Sequence, residues 1–189
     1  MKRFRYPIIT FFILTIIVWS CERDDICAEA TQTTPALFIE FRDISNPDDL
    51  KSVRELRVIA IDEDDNPIDT LALESASPNA ISLPLLVAPE LDENGEVNII
   101  TIRYILEKNS DLADNDNDTN DSTIDILELT YSNEFVYVSR ACGFKSIFRL
   151  EPVIGARKIE DDNDDWIINV SIENELIENE DEAKVLILH

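Results

Sequence analysis

Apolar residues recur at every second position in short runs along most of this chain, and that period decides what it can fold into. In Ala36–Asp43, Leu37, Ile39 and Phe41 alternate with Phe38, Glu40 and Arg42; in Glu55–Asp62, Leu56, Val58 and Ala60 keep the same beat. A period of two puts alternate side chains on opposite faces of an extended strand, whereas a helix repeats every ~3.6 residues. Similar runs lie at 69–73, 80–87, 96–107, 123–131, 134–140, 144–151, 165–173 and 184–188, which makes about ten strands. No stretch sustains a helical period. One weak helix is allowed over 48–54, with Asp48 and Asp49 in its first turn. Asn94-Gly95 predicts a type I′ hairpin turn, and Ser132-Asn133 predicts a turn between TIDILELTY and EFVYVS. With only Gly95, Gly143 and Gly155 available, most turns fall to Asn, Asp and Pro. The expected fold is all-β: a single-domain antiparallel β-sandwich, or a partly open barrel.

The N-terminus follows other rules. Lys2, Arg3 and Arg5 precede an apolar run from Pro7 to Trp19. The run is shorter than the ~20 residues a membrane-spanning helix needs. It fits the core of a secretory signal peptide over residues 1–20. Val18-Trp19-Ser20-Cys21 closes the run and resembles a bacterial lipobox, in which the cysteine is acylated and becomes the new N-terminus. Cys21 is therefore the expected lipidation site, residues 21–34 a tether, and residues 35–189 the folded domain. Export leaves Cys27 and Cys142 in an oxidising compartment, and a Cys27–Cys142 disulfide is the expected pairing. Two buried free thiols are the alternative.

Charge excludes some partners. Removing Lys2, Arg3 and Arg5 with the signal peptide takes the net charge from −24 further down, since no acid leaves with them. Such a surface repels nucleic acid, so no nucleic-acid partner is expected. Catalysis finds no support either. The single histidine, His189, stands at a chain end expected to be mobile, and no glycine-rich phosphate loop is present. Paired carboxylates carry no specificity in a chain with 40 of them. The chain is not expected to be an enzyme.

The acidic run 114–121 is the one stretch that invites a metal. Asp114, Asp116 and Asp118 alternate as in calcium loops, and Asp125 falls where a twelfth-position ligand would lie. The EF-hand pattern nevertheless fails, because Thr119 replaces the turn glycine and Asp121 replaces the apolar eighth residue. A weak, non-EF calcium loop stays open beside the plainer reading of a solvated acidic loop, and residues 62–65 and 161–165 read in the same two ways. No other cofactor is expected. Residues 135–159 invert the charge balance, with Arg140, Lys145, Arg149, Arg157 and Lys158 against Glu151 alone. They either pair with carboxylates across the sheet or form a docking patch. Tyr137 and Trp166 read as core or rim aromatics.

CERDDIC, TPALFIEFRD, VRELRVIAID, SLPL, VYVSRACGFKSIF and the closing ENELIENEDEAKVLIL together resemble a family of small lipoproteins of unknown function from Bacteroidota, mainly flavobacteria. CERDDIC and SRACGFK are the most specific landmarks, and they hold Cys21, Cys27 and Cys142. The resemblance implies an address and an architecture but no substrate. The acidic 109–122 loop departs from it, so any calcium role is local to this chain. Glu22-Arg23-Asp24-Asp25 resembles the acidic signal that sends such lipoproteins to the outer leaflet, or is a charged spacer. The expected protein is a non-enzymatic, lipid-anchored interaction module of the outer membrane, on its periplasmic face or the cell surface. It would bind the membrane through its lipid and dock an envelope protein. A calcium- or glycan-binding surface domain using the acidic loops is the alternative.

Overall fold

The computed structural model describes Cys27 and residues 34–62, 66–69, 76–112, 122–159 and 165–189. Among these residues twelve strands follow in order: β1 Leu37–Asp43, β2 Asn46–Leu50, β3 Arg57–Ile61, β4 Pro67–Asp69, β5 Ala80–Leu83, β6 Ile100–Lys108, β7 Thr123–Ser139, β8 Gly143–Leu150, β9 Ala156–Ile159, β10 Asn169–Ile172, β11 Leu176–Ile177 and β12 Val185–Leu188. One 3₁₀ turn, Ser110–Leu112, is the only helical element among the described residues.

The strands form two sheets. The five-stranded sheet runs β10-β12-β1-β2, with β5 also on β1; the seven-stranded sheet runs β11-β8-β7-β6-β3-β4, with β9 also on β7. β1 and β12 pair in parallel from Ile39↔Val185 to Arg42↔Leu188, so the first described strand is held by the last. The sheets bury their alternating faces against each other as in a sandwich. Leu37, Ile39 and Phe41 of β1 and Val185 and Ile187 of β12 meet Val58, Ile102, Tyr104, Leu106, Leu127 and Leu129 in one buried cluster. The period-two pattern in Ala36–Asp43 and Glu55–Asp62 is thus the inward face of β1 and β3.

The chain divides into two compact units. The larger is Gln32–Val136 with Lys145–His189, which carries the sandwich. The described residues of the smaller are Cys27 and Tyr137–Phe144, the hairpin tip joining β7 to β8.

Several local expectations are corrected. The weak helix over 48–54 is absent: Asn46–Leu50 forms β2, an exposed edge strand on β1. One short polar turn cannot overcome helix nucleation, and an edge strand tolerates Pro47. Ser132-Asn133 does not turn, because β7 runs unbroken from Thr123 to Ser139. The 80–87 run is strand only to Leu83, because Pro84 lacks the N–H that a ladder needs. The turn at Asn94-Gly95 is present, but only Gly95 has positive φ (81°). The Gly95 N–H donates to Asp92 O (3.1 Å), and the Asp92 carboxylate accepts from Asn94 N and Glu96 N. An aspartate-stabilised turn thus replaces type I′. The 69–73 run lies mostly outside the described residues. Short strands β9 and β11 have no clear alternation to announce them.

Candidate functional site

A cleft forms because one segment cannot pair as strand. After Leu83, Pro84 and Pro89 interrupt the backbone donors of residues 84–90. Side chains of the seven-stranded sheet take over. The Tyr104 hydroxyl donates to Pro84 O. The Tyr131 hydroxyl accepts from Leu86 N (2.8 Å) and approaches Leu86 O (3.1 Å). Asn133 Oδ1 accepts from Ala88 N (3.0 Å), and Glu90 accepts from Phe135 N (2.6 Å). Burial pushes the phenols of Tyr104 and Tyr131 well above their usual range, so both stay protonated donors.

The pinned segment leaves a hollow of about 280 Å³ between itself and β7, β8 and β11. Leu91, Val97, Ile147, Phe148 and Leu176 supply apolar wall, and Glu90, Ser132, Asn133, Glu134 and Arg149 supply polar groups. A second hollow of about 300 Å³ adjoins it at Arg149 and Leu176 and is lined by Glu173, Asn174 and Glu175. Phe148 is fixed edge-on against Tyr131, with centroids 5.6 Å apart.

Two donors in this cleft lack acceptors among the described residues. Asn133 is 6% exposed, and its Nδ2 is buried with no hydrogen-bond partner among the described residues. Its orientation is fixed, because Ala88 N–H requires Oδ1 on the other side. Buried polar groups are normally satisfied, so an orphan donor beside a cleft marks a place for an acceptor. Arg149 is exposed at the junction of the two hollows, and its guanidinium makes no ion pair or hydrogen bond with a described residue. An apolar wall with two free donors suits a ligand that has a carboxylate or carbonyl oxygen next to an apolar group.

Away from the cleft, Arg42 Nε, Asp125 Oδ1 and His189 Nδ1 are also buried without a hydrogen-bond partner among the described residues, but none of them lines a hollow. Asp125 Oδ2 accepts from Trp166 N (2.9 Å) and Ile167 N (2.7 Å), while Lys158 lies 3.5 Å from Oδ1 and also pairs with Asp165. Burial pushes the Asp125 carboxyl up, against the pull of those N–H groups and of Lys158. Glu128 sits between Arg103 (3.0 Å) and Arg157 (2.8 Å). Burial raises its carboxyl, but the two guanidinium groups outweigh that and hold it below the usual range.

A model of a family of unknown function, DUF6452, matches residues 55–189. The chain belongs to that family. Neither a curated protein nor a solved structure matches it. The DUF6452 match covers the whole cleft and begins at Glu55. It leaves out β1, although β1 is the strand on which β2, β5 and β12 assemble.

Within this DUF6452 chain the residues singled out by sequence fare differently. The structure joins Cys27 to Cys142, with Cα atoms 4.8 Å apart. Cys21, Asp114, Asp116 and Asp118 lie outside the described residues, as do residues 63–65 and 161–164 of the other two acidic runs. Asp125 is a clamp on the Trp166–Ile167 backbone, already engaged as an acceptor. Among the described residues no cluster of three or more His, Cys, Asp or Glu side chains has a metal-holding arrangement. The cations of 135–159 divide. Arg157 and Lys158 pair with carboxylates, Lys145 donates to Glu178 O (3.1 Å), and Arg140 and Arg149 have no described partner.

Trp166 is buried, and its indole N–H donates to Leu106 O (3.1 Å); Tyr137 is 55% exposed. His189 corrects the expectation of a mobile end. It is 6% exposed and packs edge-on against Phe41 and Trp166, because β12 delivers it alongside β1. Pro84 and Pro89 were visible in the sequence, but the register that sets Asn133 and Arg149 around one hollow was not.

Proposed function

We propose that this DUF6452 protein is a lipid-anchored, non-enzymatic envelope protein that docks a segment of another envelope protein in the cleft around Arg149. The observation that carries the reading is the pair of unpartnered donors, Asn133 Nδ2 and the Arg149 guanidinium, at an apolar-walled cleft. An extended segment of a partner presents carbonyl oxygens at each residue and carboxylates at Asp, Glu or its C-terminus, which such donors recognise. The lipobox-like Val18-Trp19-Ser20-Cys21 and the resemblance to Bacteroidota lipoproteins support an outer-membrane address with acyl chains on Cys21. Strong negative charge elsewhere favours a partner without nucleic acid and discourages unspecific association.

The test is site-directed photocrosslinking in native membranes. A photoreactive residue at Val97, which is 60% exposed on the cleft wall, should capture one protein in the anchored form. Arg149→Glu should abolish that adduct without altering the melting temperature, and Cys21→Ala should deplete it from the membrane fraction. Equal adducts from wild type and Arg149→Glu, or none above background, would overturn the docking reading.

A further inference from the structure

We infer that the tip of the β7–β8 hairpin, Tyr137–Phe144, is a second membrane contact that rests in the lipid headgroup layer beside the anchor. The inference rests on the acylation of Cys21 proposed above. It does not depend on the cleft.

The tip is built to hold apolar groups out in solvent. Ser139 Oγ accepts from Cys142 N (3.0 Å) and Gly143 takes φ of 72°, so the chain reverses tightly over Arg140 and Ala141. A residue with a Cβ rarely adopts that φ. The turn sets Tyr137 and Phe144 together as an edge-on pair, centroids 5.4 Å apart. Neither is buried: Tyr137 is 55% exposed and Phe144 67%. Arg140 is exposed with no described partner. No acid lies between Glu134 and Glu151, in a chain whose net charge is −24.

An exposed aromatic pair flanked by an arginine with no described partner has the composition of a bilayer interface. The rings sit at headgroup level, and the arginine reaches phosphates while its stem covers apolar surface. A protein partner is the competing occupant of such a patch, and chain length argues for lipid instead. Cys142 at the tip is bonded to Cys27, which stands six positions after Cys21. Six extended residues span at most about 20 Å. An acyl-bearing Cys21 therefore keeps the tip within that reach of the membrane whatever the intervening residues do. The hairpin itself adds no acid to that contact, so the repulsion from anionic headgroups there comes from Glu22, Asp24 and Asp25 of the tether.

The test is depth-dependent fluorescence quenching of the full mature protein, purified from membranes. It is reconstituted in vesicles of phosphatidylethanolamine and phosphatidylglycerol carrying brominated acyl chains. Phe144→Trp and, separately, Tyr137→Trp report on the tip, and Glu93→Trp in the exposed acidic turn is the control. Each is compared with wild type, whose Trp166 is buried. The tip tryptophans, as interfacial rings, should be quenched well beyond the control, and the Glu93→Trp signal should stay. Mass spectrometry of the same samples reads the acyl chains on Cys21. Acylated protein whose tip tryptophans are quenched no more than the control overturns the membrane contact and leaves the anchor standing. Protein without acyl chains overturns both.

Discussion

Cys27 and Cys142 are separated by 115 positions in sequence and by 4.8 Å at Cα. The loop their bond closes contains β1 to β7, so most of the sandwich is pre-restrained in the unfolded chain. In the chain-entropy account a loop of that length stabilises by about 4–5 kcal/mol, and loss of a native bridge from an exported domain commonly costs about 2–5 kcal/mol. The double variant Cys27→Ser/Cys142→Ser should lose stability in that range in denaturant melts. Reductant should reproduce the loss in the wild type and do nothing to the double variant. Superimposable wild-type curves with and without reductant would show that the bridge contributes nothing.

Glu128 is buried at one end of two guanidinium contacts, with side-chain exposures of 29% for Arg103 and 55% for Arg157. Removing the carboxylate leaves two cations that still reach water, so Glu128→Ala should cost about 2–3 kcal/mol, below the usual figure for a fully buried pair. The folded-state carboxyl lies below its unfolded value. The unfolded chain thus binds the proton first on acidification. The stabilisation is complete above the ordinary glutamate range and disappears as pH falls through the folded value. Acid titration of the melting temperature should show this loss in the wild type and a shallower slope in Glu128→Gln. Parallel slopes would remove Glu128 from the account.

Alternation alone revealed the sandwich, because each inward row reads directly as a period of two: Leu37, Ile39, Phe41; Leu56, Val58, Ala60. What it missed is where polar residues complete such a row. On β7 the buried face runs Asp125, Leu127, Leu129, Tyr131, Asn133. Asp125 looked like a metal ligand and Asn133 like a turn residue. Each instead holds a distant backbone N–H, that of Trp166 and Ile167 or of Ala88. Those partners are set by packing across 41 and 45 positions, which no local pattern encodes. Arg149 was visible as one cation among five. That it has no described partner, while Arg157 and Lys158 do, follows only from β9 lying against β7.

His189 titrates inside the core. Burial lowers its imidazole below the ordinary value, and nearby Lys51 and Lys108 act in the same direction, while the hydrogen bond to the Lys51 carbonyl and Asp43 oppose them. The unfolded chain therefore takes the proton at higher pH than the folded one. The neutral ring's contribution is complete above about pH 6.5 and is lost as pH falls toward the folded value. The melting temperature should drop between about pH 7 and pH 5, ahead of the carboxylate transition. His189→Gln should flatten that segment. A variant with an unchanged profile would assign the drop to other groups.

Gly155 answers to space rather than to backbone freedom. A Cβ there would run into Glu151 O and come within 2.7 Å of Glu151 N, both main-chain atoms that no rotamer change can move aside. The same turn carries Gly155 N to Glu151 O (2.8 Å) and Thr130 N to Gly155 O (3.1 Å). Gly155→Ala should therefore cost about 1–3 kcal/mol by overpacking and weaken the start of β9 on β7. Gly95→Ala, which has open space around its Cβ and only an unfavourable φ, should cost about 1 kcal/mol. Denaturant melts that rank the two the other way would show that the 151–155 turn yields.

Tyr131→Phe tests the cleft wall itself. The hydroxyl is the shared anchor of Leu86 N (2.8 Å) and Leu86 O (3.1 Å), and its ring braces Phe148. Phenylalanine keeps the ring contact and removes both hydrogen bonds. Leu86 is 43% exposed, so water replaces part of what is lost and the global cost should be about 1 kcal/mol. Local effects should be larger. Amide exchange at Leu86 should accelerate well beyond the global change, since the 84–90 segment has no strand ladder to fall back on. Crosslinking from Val97 should weaken with it. Exchange at Leu86 that tracks only global stability would mean that Tyr104, Asn133 and Glu90 hold the wall without Tyr131.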